Sequence, residues 1–180
     1  MSGKDAGLTL LELVIGLAVA AVLFAVAIPA FTDARAAVSH GIVRAALVET
    51  FIDAGRHATI TGTDTVICSS TGMDLCSGSV DWSHGWIVFA DLDGDRTHDA
   101  NETLVRRSSP LEGGVHLRST SGRTRLVIQA NGGNAGSNVT FTLCDGRGSA
   151  KATALILSNS GRMRQGVPTP TAASECVHGR

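Results

Sequence analysis

Tyrosine is absent from this 180-residue chain, and only two Trp and five Phe are present. So few rings leave the core to aliphatic side chains, with Trp86, Val88 and Phe89 as its expected bulk. No aromatic stands among the C-terminal arginines, so stacking on unpaired bases is not indicated. A nucleophile elbow, an H-E-x-x-H pair and a Walker sequence are missing too. The six histidines, at 40, 57, 84, 98, 116 and 178, show no ligand spacing, and none neighbours a cysteine. These absences argue against an enzyme. No C-x-x-C occurs either, so zinc is disfavoured for Cys68, Cys76, Cys144 and Cys176.

What is there begins with an apolar run. Leu8 to Phe31 reads LTLLELVIGLAVAAVLFAVAIPAF, and from Leu13 to Phe31 nineteen residues pass without a charge. That is the length needed to cross a ~30 Å hydrocarbon core as a helix. A soluble helix is seldom apolar on every side, so the run predicts a membrane helix with Pro29 near its end. A cleaved secretory signal fits less well. Lys4, the only cation before the run, is offset by Asp5, and Glu12 interrupts the apolar stretch. An ionisable group within a membrane segment costs roughly 2.5 kcal/mol or more, so Glu12 needs a partner.

Helical spacing continues past the run. Val38, Ile42, Ala45, Ala46, Val48, Phe51 and Ile52 fall on one stripe, which predicts an amphipathic half over residues 32–60 of the same helix. Beyond Gly62 the pattern changes to short β-prone runs broken by Gly, Ser, Asn and Asp. Strands are expected near Thr65–Ser69, Trp86–Ala90, Thr103–Arg106, Val115–Arg118, Arg125–Gln129, Val139–Leu143 and Ala154–Leu157. With no later helix of length expected, the class is α+β, an antiparallel sheet or sandwich over residues 61–180 laid on the long helix. The tail from Val167 onward reads as loop.

The net charge of −1 names no partner, but its distribution is uneven: residues 1–102 carry −8 and residues 103–180 carry +7. Either the C-terminal half presents a basic face or the two sets interleave when strands pair. The acids concentrate after Trp86. Asp91, Asp93, Asp95 and Glu102, with Asp99 between, match calcium-loop positions, but Arg96 stands where such a loop needs Gly. A solvated hairpin loop is the alternative. The loop NGGNAGSN lacks the lysine and helix of a phosphate cradle. Four cysteines allow three pairings; Cys68 with Cys76 closes a short loop, and Cys144 with Cys176 pins the tail.

Near the C-terminus, Ser-Asn-Ser-Gly leads into Arg162 and Arg164. If the chain is extended there, both guanidinium groups point to one side about 7 Å apart, near the pitch of successive phosphates. Arg147 and Lys151 widen the patch if the neighbouring strands pair. An arginine fork donates two hydrogen bonds to a phosphate, and such contacts carry no sequence information. A solvated strand end or a contact to another subunit is the competing reading.

Several of these blocks resemble one family. Met1 to Gly7 followed by LTLLEL is similar to the signal of type IV pilins and type II secretion pseudopilins. GWIVFAD with its acidic loop and E-x-L-V-R-like strand resembles the GspH/FimT branch. Gly161-Arg162-Met163-Arg164 matches the G-R-x-R motif of FimT-like minor pilins. The resemblance implies removal of residues 1–7 by prepilin peptidase between Gly7 and Leu8, although the family usually has Phe where this chain has Leu8. It implies a transmembrane and assembly helix over 8–31, a kink at Pro29, and Glu12 pairing with the freed amine of a neighbouring subunit. It also implies an inner-membrane subunit with a periplasmic domain that joins other pilin or pseudopilin subunits. On the FimT side the arginines would bind DNA for uptake; the alternative is a GspH-type minor pseudopilin of a type II secretion system.

Overall fold

The computed structural model describes residues 7, 9–72, 74–136 and 138–178. The leader expected at residues 1–7, apart from Gly7, lies outside the described residues, as does Leu8. The chain divides into one unit ending at Arg35 and a second beginning at Ala36.

The first unit holds the start of helix α1 (Leu10–Thr61). TLLE opens it as a capping box: the Glu12 backbone N–H donates to the Thr9 hydroxyl at 3.3 Å. The Thr9 backbone N–H in turn donates to the Glu12 carboxylate at 3.0 Å. Each Leu, Ile, Val and Phe from Leu10 to Phe31 is more than half exposed. By length and composition this helix can span a membrane. Pro29 lies inside it.

The second unit is built from strands β1 (Thr65–Ser69), β2 (Trp86–Ala90), β3 (Leu104–Ser108), β4 (His116–Ser119), β5 (Arg125–Ile128), β6 (Asn134–Ala135), β7 (Val139–Cys144), β8 (Thr153–Leu157) and β9 (Met163–Gly166), with helix α2 (Pro170–His178). They form two antiparallel sheets, in the order β3-β2-β1-β5-β6 and β4-β7-β8-β9. The α+β class is as expected. Every position of β1 and β2 is buried because both faces are covered. Ile67, Trp86 and Val88 join the main core under α1, while Val66, Cys68, Ile87 and Phe89 form a second cluster on the far side. In the other sheet Val139, Phe141, Leu143, Leu155 and Leu157 face the main core. Two rings anchor it: Trp82 meets Phe141 edge-on at 5.0 Å, and the Trp86 indole N–H donates to the Thr50 hydroxyl at 2.9 Å.

Two expectations are corrected. The buried stripe of α1 is His40, Val43, Leu47, Thr50, Phe51, Ala54 and Ala58. Val38, Ile42 and Ile52 are each more than 60% exposed. The helix carries two apolar stripes, and polar His40 and Thr50 sit in the buried one because both find partners there, which composition cannot reveal. The C-terminal tail is not all loop. The Thr169 hydroxyl accepts the Ala172 backbone N–H at the start of α2, and Ala173 and Cys176 pack beside Cys144. After the turn at Gly161 the chain is extended, as β9.

Candidate functional site

The predicted basic patch is organised by the edge strand β9. The Ser158 backbone N–H donates to the Arg162 carbonyl at 2.9 Å, and the register pairs Leu157 with Met163 and Ile156 with Arg164. Met163 packs against the main core. Alternation along the strand therefore sends the side chains of Arg162 and Arg164 to the opposite, outer face, where both are exposed. The Arg162 Nε–H donates to the Ser160 hydroxyl at 3.4 Å. Gly161 is required at this turn: its φ is 74°, and a Cβ there would lie 2.2 Å from the Gly132 carbonyl oxygen.

The other two predicted members of the patch lie elsewhere. Arg147 turns its fork onto the buried Asp145 carboxylate, with Nε at 2.9 Å and Nη2 at 2.6 Å. Lys151 is exposed in the 3₁₀ turn Ser149–Lys151. It lies five residues before Ile156, the partner of Arg164. At the rise of a strand that is roughly 16 Å away. The structure brings together Arg162 and Arg164 but not Arg147 or Lys151.

Part of the remaining charge asymmetry cancels in space. Arg106 reaches both Glu49 and Asp53 on α1, and Arg107 reaches Asp74. The interleaved reading of the charge holds for these pairs because β3 carries Arg106 and Arg107 beside α1 and the loop that follows β1.

Asp145 is the centre of a site that sequence reasoning missed. It accepts hydrogen bonds from Arg147 and from His40 Nδ1–H at 2.8 Å, while His40 Nε2 bonds the Thr153 hydroxyl at 2.8 Å. Burial alone would raise the pKa of this carboxyl. The Arg147 side-chain and backbone bonds and His40 outweigh it and hold the group at about 2. A lone histidine among apolar residues gave no signal, because its partner lies 105 positions away.

Both cysteine pairs are disulfides, Cys68–Cys76 and Cys144–Cys176. The second fastens α2 to β7. In the acidic loop the carboxylates of Asp91, Asp93 and Asp95 lie within 4.8 Å of one another, an oxygen set that can hold a metal ion such as calcium. Arg96, at the position expected to need Gly, has φ 64° and so makes the left-handed turn itself. Glu102 is turned to the backbone: its two oxygens accept the Leu92 and Asp99 N–H groups.

A family model, Type II transport protein GspH, matches residues 47–161, more than half of the chain. Among solved structures, the type IV minor pilin FimU of Pseudomonas aeruginosa PAO1 is 15% identical with a TM-score of 0.51. The match covers 83% of this chain and 97% of that one. The minor pseudopilin EpsH from the type 2 secretion system of Vibrio cholerae is 12% identical with a TM-score of 0.51. Here the match covers 73% of this chain and 98% of that one. At such identities the likeness is one of fold, and none of these matches singles out the FimT type. No curated protein matches in sequence.

Proposed function

The chain belongs to the GspH family, a family of pilin-like fibre subunits rather than enzymes, and from that premise we propose that it is a minor pseudopilin of a type II secretion system. The observation that carries this reading is the division of labour along α1. Its first half leaves every large apolar side chain exposed, while the second unit has a complete core of its own. Such a surface is stable only in lipid or against the helices of other subunits. The subunit is held in the inner membrane with residues 36–180 in the periplasm. Prepilin peptidase removes residues 1–7 between Gly7 and Leu8, and the helix then passes from lipid into a helical fibre core. Glu12, which closes the capping box within its own chain, exchanges that role for the free amine of a neighbour.

The test is co-expression with prepilin peptidase and a set of secretion pseudopilins. Mass spectrometry is expected to show loss of residues 1–7, and sheared fibres are expected to contain the chain. Glu12→Ala is expected to be cleaved yet largely missing from fibres. An uncleaved chain that never enters fibres refutes the proposal.

A second reading rests on the shared exposed face of Arg162 and Arg164. On it the chain is a FimT-like minor pilin that grips duplex DNA through phosphates for uptake in natural transformation, without sequence preference and with strong salt dependence. Mobility shifts at low salt that vanish in an Arg162→Ala, Arg164→Ala chain would support it.

A further inference from the structure

Two unsatisfied surfaces meet on one side of the second unit. The outward stripe of α1, which includes Ala45 and Ile52, is left uncovered by both sheets. Beside it runs β9, the last strand of its sheet. Between them lie adjoining hollows of about 540 Å³ and about 240 Å³ that share Val48, Ile52 and Met163 as floor.

The edge of β9 is ready for another strand. Because Ser158 N–H bonds the Arg162 carbonyl, the hydrogen-bonded pairs of this ladder fall at Arg162 and Arg164. The N–H and C=O groups of Met163 and Gln165 therefore point away from β8 to the open side. The surrounding charge is mainly basic, with Glu49 the one acid lining the hollows. Arg44 and Arg164 rim the larger hollow, Arg56 rims the smaller, and Arg162 adjoins Met163. Among the described residues none of these four is paired with a carboxylate; Arg44 reaches Gln165, and Glu49 is held by Arg106.

We propose that this groove binds an extended segment of a different subunit, added to β9 as a fifth strand, in which apolar and acidic residues alternate. Main-chain hydrogen bonds to Met163 and Gln165 supply the attachment, and alternate side chains read the two faces. Those turned toward α1 meet the Val48 and Ile52 floor and are apolar. Those turned outward meet Arg162 and Arg164 and are acidic. A second copy of this chain does not fit, since none of the described strands contains Asp or Glu. The inference goes beyond the fibre-subunit reading and stands or falls without it.

The experiment uses the full chain in neutral detergent and a fluorescein-labelled peptide of five Val-Glu repeats, followed by anisotropy. Saturable binding is expected. It should weaken at least tenfold with Arg162→Glu plus Arg164→Glu, and at least tenfold when alternate backbone nitrogens of the peptide are methylated against the unaltered protein. A Val-Lys peptide should not bind. Equal binding of the methylated peptide excludes strand addition and overturns the proposal, as does a peptide affinity indifferent to the two arginines. Arginine-dependent binding of a 20-base-pair duplex with no peptide binding assigns the surface to phosphates instead. Self-association abolished by Ile52→Asp, again with no peptide binding, assigns it to a second copy.

Discussion

The His40–Asp145–Arg147 network offers the most demanding test of how α1 is tied to the β4-β7-β8-β9 sheet. The Asp145 carboxyl sits at about 2 against an ordinary value of 3.8. It is thus ionised more readily in the folded chain than in the unfolded one. Its stabilisation is complete above pH ~4 and is lost as pH falls through about 2, a contribution of about 2 kcal/mol. Asp145→Asn keeps the shape but turns an acceptor into a donor facing Arg147 and His40. Both would be left without an anion in a buried site, a loss of about 3 kcal/mol at neutral pH. Urea unfolding of the full chain in neutral detergent reads this through the fluorescence of Trp82 and Trp86, both fully buried. The variant should be less stable at pH 7, and its stability should flatten between pH 4 and 2 where the parent declines. A variant within about 0.5 kcal/mol of the parent at pH 7, or one that keeps the parent's acid limb, refutes the reasoning.

Two further outcomes follow from the geometry. Replacing Cys144 and Cys176 together by Ser opens a closure of 32 positions and should cost about 3 kcal/mol in thermal unfolding. It should also let carboxypeptidase trim α2, and an α2 that stays protected would show that packing alone holds it. Gly161→Ala should cost more than about 2 kcal/mol, since it adds a left-handed alanine to a collision with the Gly132 carbonyl. Gly146→Ala, whose Cβ meets nothing within 4 Å, should stay within about 0.5 kcal/mol of the parent.

Local order along the chain settled a good deal. The apolar run and the TLLE start of α1 lie within a few turns of helix. The runs Thr65–Ser69 and Trp86–Ala90 coincide with β1 and β2 because strongly β-branched and aromatic segments, buried on both faces, leave no ambiguity of period. Five further strands were legible to within a residue or two. The two-residue strand β6 and the short helix α2 were not, because neither has a periodic signal of its own: one is held by β5 and the other by a disulfide.

Tertiary structure alone decided the rest. Two apolar stripes on α1 have equal claim on a core by composition, and only the placing of the sheets chose Val43 and Leu47 over Val38 and Ile42. Arg147 and Arg164 look alike in sequence. A buried Asp145 beside one, and an open strand edge beside the other, made the first an internal tie and left the second at the surface. Helix, strand and cap depend on neighbours a few positions away, so sequence determines them. Which stripe of α1 is covered, and that His40 meets Asp145, depends on residues a hundred positions apart, and those meet only in the folded chain.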